Sequence, residues 1–73
     1  MGVLREDEIG PDGVRIVVDW DLMVPGDSIF IPCINVSLAQ RQVAKIFARR
    51  GWKLRAQVTT RSHILGLRIW RSA

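Results

Sequence analysis

The chain has 73 residues, of which 48% are hydrophobic and three are tryptophan; this excludes a disordered basic tail and indicates one small folded domain. A single cysteine and a single histidine exclude an intrachain disulfide and a zinc site built from Cys and His. The net charge of +4 is divided unevenly, because residues 1–27 hold all seven acids and two arginines, whereas residues 28–73 hold nine Arg and Lys and no acid.

The N-terminal part predicts an acidic arm followed by a strand. Residues 1–10 are acidic and run into the turn cluster Gly10-Pro11-Asp12-Gly13, so we predict a mobile arm over 1–10 and a single domain over 11–73. From Val14 to Trp20, apolar residues alternate with others at a period of two, which predicts a strand. A second, short apolar strand covers Ser28 to Ile31 and is ended by Pro32.

The clearest element is a helix that ends at Arg50. Asn35 and Ser37 are both suitable N-caps, and Gly51 suits the left-handed residue that follows a helix. The residues spaced for one apolar face are Ala39, Val43, Ile46 and Phe47.

Two further strands follow the helix, over Lys53 to Thr60 and over Ile64 to Arg71. Their separation by a short connection predicts an antiparallel hairpin. The order is therefore β-β-α-β-β, an α+β fold whose antiparallel sheet carries one helix packed on one face.

Catalytic and metal chemistry have little support in the sequence. His63 lies in a predicted turn without a local partner, and Cys33 is better interpreted as a small buried residue than as a nucleophile. Asp19, Asp21 and Asp27 are too ordinary a set to predict a metal site. We therefore predict a non-enzymatic protein with no cofactor and no metal.

The basic second part predicts a polyanionic partner, with nucleic acid (DNA or RNA) as the leading candidate. Outward residues of the last two strands combine cations with an indole that can stack on a base. The predicted binding residues are Lys53, Arg55, Arg68, Trp70 and Arg71. Arg41, Lys45 and Arg49 step by four along the helix and are predicted as secondary contacts. A solvated basic surface without a target is the alternative.

Other interactions stay open. A chain this short gains stability from oligomerisation, and an apolar edge strand favours a homodimer. The rival function is a protein–protein module that binds or inhibits a host protein through a β edge and Trp70. No hydrophobic stretch is long enough to span a membrane, and the free thiol fits the cytoplasm.

The chain also resembles a class of small phage and prophage proteins. The resemblance lies in Gly26-Asp27-Ser28 followed by three apolar residues and Pro32, and in the ending Arg68-Ile69-Trp70-Arg71. It covers roughly residues 24–71, and the long acidic start departs from it. The resemblance implies a small accessory protein that acts in the cytoplasm of an infected host cell, and it assigns no catalytic residue.

Overall fold

The computed structural model describes residues 7–73 and contains three strands and one α-helix. Strand β1 covers Ser28–Pro32, helix α1 covers Val36–Arg50, and strands β2 and β3 cover Leu54–Arg61 and Ile64–Arg71. The sheet is antiparallel throughout, with β3 in the centre and β1 and β2 at its edges. The predicted α+β class and the single helix on one face of an antiparallel sheet are confirmed.

Helix α1 forms for the reasons that the sequence predicts. The Asn35 side chain caps it by accepting a hydrogen bond from the Leu38 N–H at 3.1 Å. Gly51 adopts a left-handed conformation with φ of 72°, and the Trp52 N–H donates to the Phe47 carbonyl at 2.9 Å, which closes the helix. The four residues of the predicted apolar face are all buried: Ala39, Val43, Ile46 and Phe47.

The β2–β3 hairpin is also confirmed, with Arg61 opposite Ile64 across a two-residue turn. Ser62 and His63 form that turn and both have positive φ, of 50° and 67°. Positive φ at both central residues is the requirement of the type I′ turn, whose twist matches that of the flanking strands. The pairing of β2 with β3 therefore fixes the register of the hairpin, although the turn has Ser62 and His63 where glycine is usual.

The strand predicted for Val14 to Trp20 is wrong. The chain turns at Pro11–Gly13 instead, so that Ile9 pairs with Ile16 in an isolated bridge, and a 3-10 helix follows over Trp20–Leu22. The reason is tertiary packing: Trp20 leaves the extended conformation to lie edge-on to Phe47, with ring centroids 5.9 Å apart. Trp20 thus packs against α1, and the alternating run that precedes it does not form a fourth strand.

The last residues of the predicted arm pack on the domain. Ile9 is completely buried, the Asp7 carbonyl accepts from the Trp20 indole N–H at 2.6 Å, and the Gly10 N–H donates to the Gln42 side chain at 2.9 Å. Residues 1–6 of that arm lie outside the described residues. The folded domain therefore includes residues before the boundary that the turn cluster predicts.

Candidate nucleic-acid interface

The side of the sheet that faces away from α1 has no second layer over it in the described structure. Neighbours directly opposite in an antiparallel pair lie on the same face, and the buried Ile31, Leu67 and Ile69 mark the face under the helix. We call the other side the open face. Its residues are Ser28, Phe30 and Pro32 from β1, Arg55, Gln57, Thr59 and Arg61 from β2, and Ile64, Gly66, Arg68 and Trp70 from β3.

Arg55 and Trp70 form one half of the site. They are direct partners across β2 and β3, and the Arg55 guanidinium lies 5.8 Å from the centre of the Trp70 ring. Attraction between the cation and the ring face holds the two side chains together. The structure thus brings together the arginine and the indole that the sequence predicted for one face.

Phe30 and Arg68 form the other half. They are partners across β1 and β3, and the Arg68 guanidinium lies 5.9 Å from the centre of the Phe30 ring while also donating to the Ser28 hydroxyl at 3.0 Å. Gly66 makes room for the ring, because a Cβ there would lie 2.6 Å from Phe30 Cζ and 2.4 Å from the Ile31 carbonyl oxygen. The missing side chain therefore lets Phe30 lie across the central strand.

Sequence reasoning missed Phe30 and Arg61 as residues of this face. A signal for Phe30 was present, because Ile29 and Ile31 flank it and point to the core at a period of two. Arg61 lies six residues from Arg55 along β2. Because this number is even, the two residues have the same parity, meaning that their side chains lie on the same face, and Arg61 is exposed at the far end of the strand. The face is thus larger than predicted and reaches from β1 to the tip of the hairpin.

Two of the other predicted residues differ in their placement. Lys53 is exposed, lies just before β2 and has the same parity as Arg55, so it extends the open face. Arg71 has the parity of Ile69 and lies on the helix side, where its Nη1 donates to the Met23 carbonyl at 2.7 Å and its guanidinium lies 3.9 Å from the centre of the Trp52 ring. The structure therefore does not bring Arg71 to the open face.

The helix cations form a separate surface. Arg41, Lys45 and Arg49 are exposed, and their spacing of four residues aligns them on α1. On a helix of 3.6 residues per turn, Arg41 and Lys45 lie roughly opposite the buried Ala39 and Val43, hence on the side that faces away from the sheet. The sheet separates them from the open face, so one short ligand does not touch both sets.

Two of the described acids, Asp12 and Asp21, lie at the ends of α1, on the other side of the sheet from the open face. Asp21 pairs with Arg50 at 2.7 Å near the C-terminus of α1, and the Asp12 carboxylate accepts from the N–H groups of Ile34 and Asn35 at 2.8 Å near its N-terminus. Within residues 7–73, no carboxylate forms an ion pair with an arginine of the open face. Asp12 and Asp21 therefore do not neutralise the positive field of the open face.

Cys33 and His63 do not have the properties of a catalytic pair. Cys33 is buried, and that burial, with a smaller contribution from the nearby charge of Asp12, raises the pKa of its thiol. An activated cysteine needs the opposite shift. His63 is exposed at the hairpin turn.

Other types of site have little support in the part of the chain described. No three of its His, Cys, Asp and Glu side chains come close enough together to hold a metal ion. None of its helices has the length and apolar character that a membrane span requires. A shallow cleft lies beside β1 between Asp19 and Asp27, with Leu22, Met23 and Ile29 along it.

Comparison with known proteins adds no family to these observations. The resemblance to small phage and prophage proteins stays a prediction. No protein-family model, curated protein or solved structure matches the chain.

Proposed function

We propose that the protein binds single-stranded nucleic acid on its open face and that it is not an enzyme. The observation that carries the proposal is the pairing of two aromatic rings with two arginines across neighbouring strands: Arg55 with Trp70, and Arg68 with Phe30. Arginines bind phosphates and stack on bases, and aromatic rings give bases a flat surface on which to stack. A sheet that carries both kinds of side chain suits a chain of unpaired nucleotides.

The positions of the rings favour a single strand over a duplex. Phe30 is the partner of Arg68 and its ring lies over Gly66, whereas Trp70 lies two residues from Arg68 in the opposite direction along β3, so the two rings lie on either side of Arg68. Bases can reach such rings only when they are not stacked inside a duplex. The surrounding Lys53, Arg55, Arg61 and Arg68 supply the phosphate contacts.

The proposal is tested by titrating the protein into fluorescent oligothymidylate, its RNA counterpart and a DNA duplex of equal length. Binding to the single strands should exceed binding to the duplex. The logarithm of the association constant should fall linearly with the logarithm of salt concentration, with a slope of about −0.7 for each phosphate neutralised on a single strand. A salt-independent affinity, or an absence of binding at low salt, would show that the open face has another role.

Replacing Trp70 or Phe30 by leucine isolates the contribution of stacking, because leucine keeps an apolar side chain but has no ring. Each variant should lose about 1–3 kcal/mol of single-strand binding free energy, the usual contribution of one stacked base. Binding to the duplex serves as the control, since the leucine substitutions leave the contacts of Arg and Lys with phosphates unchanged. If a variant loses the same affinity for both ligands, its ring does not stack on a base.

A further inference from the structure

Within residues 7–73, strand β2 leaves one edge of the sheet unpaired along most of its length. The hairpin pairs Arg61 with Ile64 across the two-residue turn, so the backbone groups of Arg55, Gln57, Thr59 and Arg61 point toward β3. The alternate residues direct their N–H and C=O groups away from the sheet. They are Leu54, Ala56, Val58 and Thr60.

The middle of this edge lacks the usual protection against pairing with another strand, although Arg55 and Arg61 place charges near its ends. Residues 56–60 contain no charge and no proline, and Val58 remains 52% exposed on the helix side of the sheet. The opposite edge, β1, has only five residues and ends in Pro32, which has no N–H to donate. Edge pairing is therefore favoured at β2.

We propose that β2 pairs with β2 of a second copy, antiparallel and in a register centred on Gln57. A two-fold axis at Gln57 places Ala56 opposite Val58 of the partner subunit and Arg55 opposite Thr59 of the partner subunit. Its one pair of like charges, Lys53 with Arg61 of the partner subunit, includes a residue that precedes β2. Centring the pair on Val58 instead places Arg55 directly opposite Arg61 of the partner subunit, with both residues inside β2, and like charges directly opposite are destabilising. Of the two registers that pair most of β2, the one centred on Gln57 therefore keeps like charges from lying opposite each other inside the strands, and it pairs the uncharged residues 56–58 of the two copies with each other.

Such a dimer is isologous and joins two three-stranded sheets into one of six strands. The helices lie on one side, and the two open faces become continuous on the other. The pairing itself needs no nucleic acid, whereas its consequence, a binding surface of twice the length, rests on the proposed function.

The register is tested by cysteine cross-linking of the full chain without nucleic acid. In the Gln57→Cys variant, the two new thiols lie in a non-hydrogen-bonded pair, where Cα atoms are about 4.5 Å apart and a disulfide can form. Diamide takes up the two thiol hydrogens, and a covalent dimer should appear on a non-reducing gel. Thr59→Cys is the matched control, because its thiols are separated by about four residues along the strands, or roughly 13 Å. Equal cross-linking of both variants, or of neither, would overturn the register.

The dimer itself is tested by light scattering over a concentration series. The mass of the unmodified chain should rise from the monomer value of 8.3 kDa toward twice that value. Val58→Lys places a charge at the edge and should keep the chain monomeric, whereas Val17→Lys adds the same charge at a residue outside the sheet that is 75% exposed and should leave the dimer intact. Circular dichroism confirms that both variants fold. A chain that stays monomeric throughout, or a Val58→Lys variant that still dimerises, would overturn the proposal.

Discussion

Replacing Arg55 and Arg68 together by glutamine is expected to weaken binding to a single-stranded oligonucleotide by about 100-fold. Each arginine that contacts a phosphate contributes at least about 1.5 kcal/mol as a charged hydrogen bond, and about 1.4 kcal/mol corresponds to a tenfold change in affinity. The salt dependence should also become shallower by about 1.4 in slope, because two fewer phosphates are neutralised. Fluorescence anisotropy at several salt concentrations measures both quantities.

The control for this variant is the pair Arg41→Gln and Lys45→Gln on α1. It removes the same two charges and leaves the same net charge of +2, starting from +4. These side chains lie on the side of α1 that faces away from the sheet, so their loss should change affinity much less. Equal losses in the two double variants would mean that binding follows the overall charge of the molecule and not the open face.

Replacing Trp20 by alanine is expected to destabilise the fold by about 3–5 kcal/mol, the usual cost of truncating a buried tryptophan. Trp20 is 1% exposed, lies edge-on to Phe47 and donates its indole N–H to the Asp7 carbonyl. A domain of this length has a total stability of about 4–11 kcal/mol, so the variant loses much of it. Urea unfolding followed by circular dichroism measures the change.

Two controls separate this effect from a general sensitivity of the N-terminal segment. Leu22→Ala alters the same 3-10 helix at a residue that is 74% exposed, and it should change stability by no more than about 0.5 kcal/mol. Trp20→Phe keeps a ring against Phe47 but removes the hydrogen bond to Asp7, and should fall between the two alanine variants. A Trp20→Ala variant as stable as the original chain would show that residues before β1 are not part of the core.

Much of the fold was predictable because local patterns and tertiary packing agree. In α1, the cap at Asn35, the glycine at position 51 and the spacing of Val43 and Phe47 all specify the same helix. The hairpin was predictable from two alternating runs joined by a short connection, although its turn residues, Ser62 and His63, are not the usual ones.

The N-terminal segment was not predictable from its pattern. An alternation over seven residues suits a strand, but nothing local shows whether another strand is available to pair with it. Here Trp20 instead fills space beside Phe47, and the bridge between Ile9 and Ile16 provides the only pairing of this segment within the described residues. Tertiary packing therefore decides the structure of this segment.

The candidate site was predictable in part. Strand parity placed Arg55, Arg68 and Trp70 on one face, and the register between β2 and β3 confirms that arrangement. The alternation along β3 puts Arg71 on the helix side of the sheet, as it does Ile69, and there the Arg71 guanidinium donates a hydrogen bond to the Met23 carbonyl. The alternation in β1 also puts Phe30 on the open face, whereas the contact of its ring with Gly66 depends on the pairing of β1 with β3 and cannot be predicted from either strand alone.

The most direct test of the central claim is an NMR titration of the isotopically labelled protein with a short oligothymidylate. The binding surface is proposed to be the open face, so the largest shifts should occur at the Trp70 indole N–H and at the amides of β2 and β3. The amides around Arg41 and Lys45 should change little. Shifts concentrated on α1, with the Trp70 indole unmoved, would contradict the account.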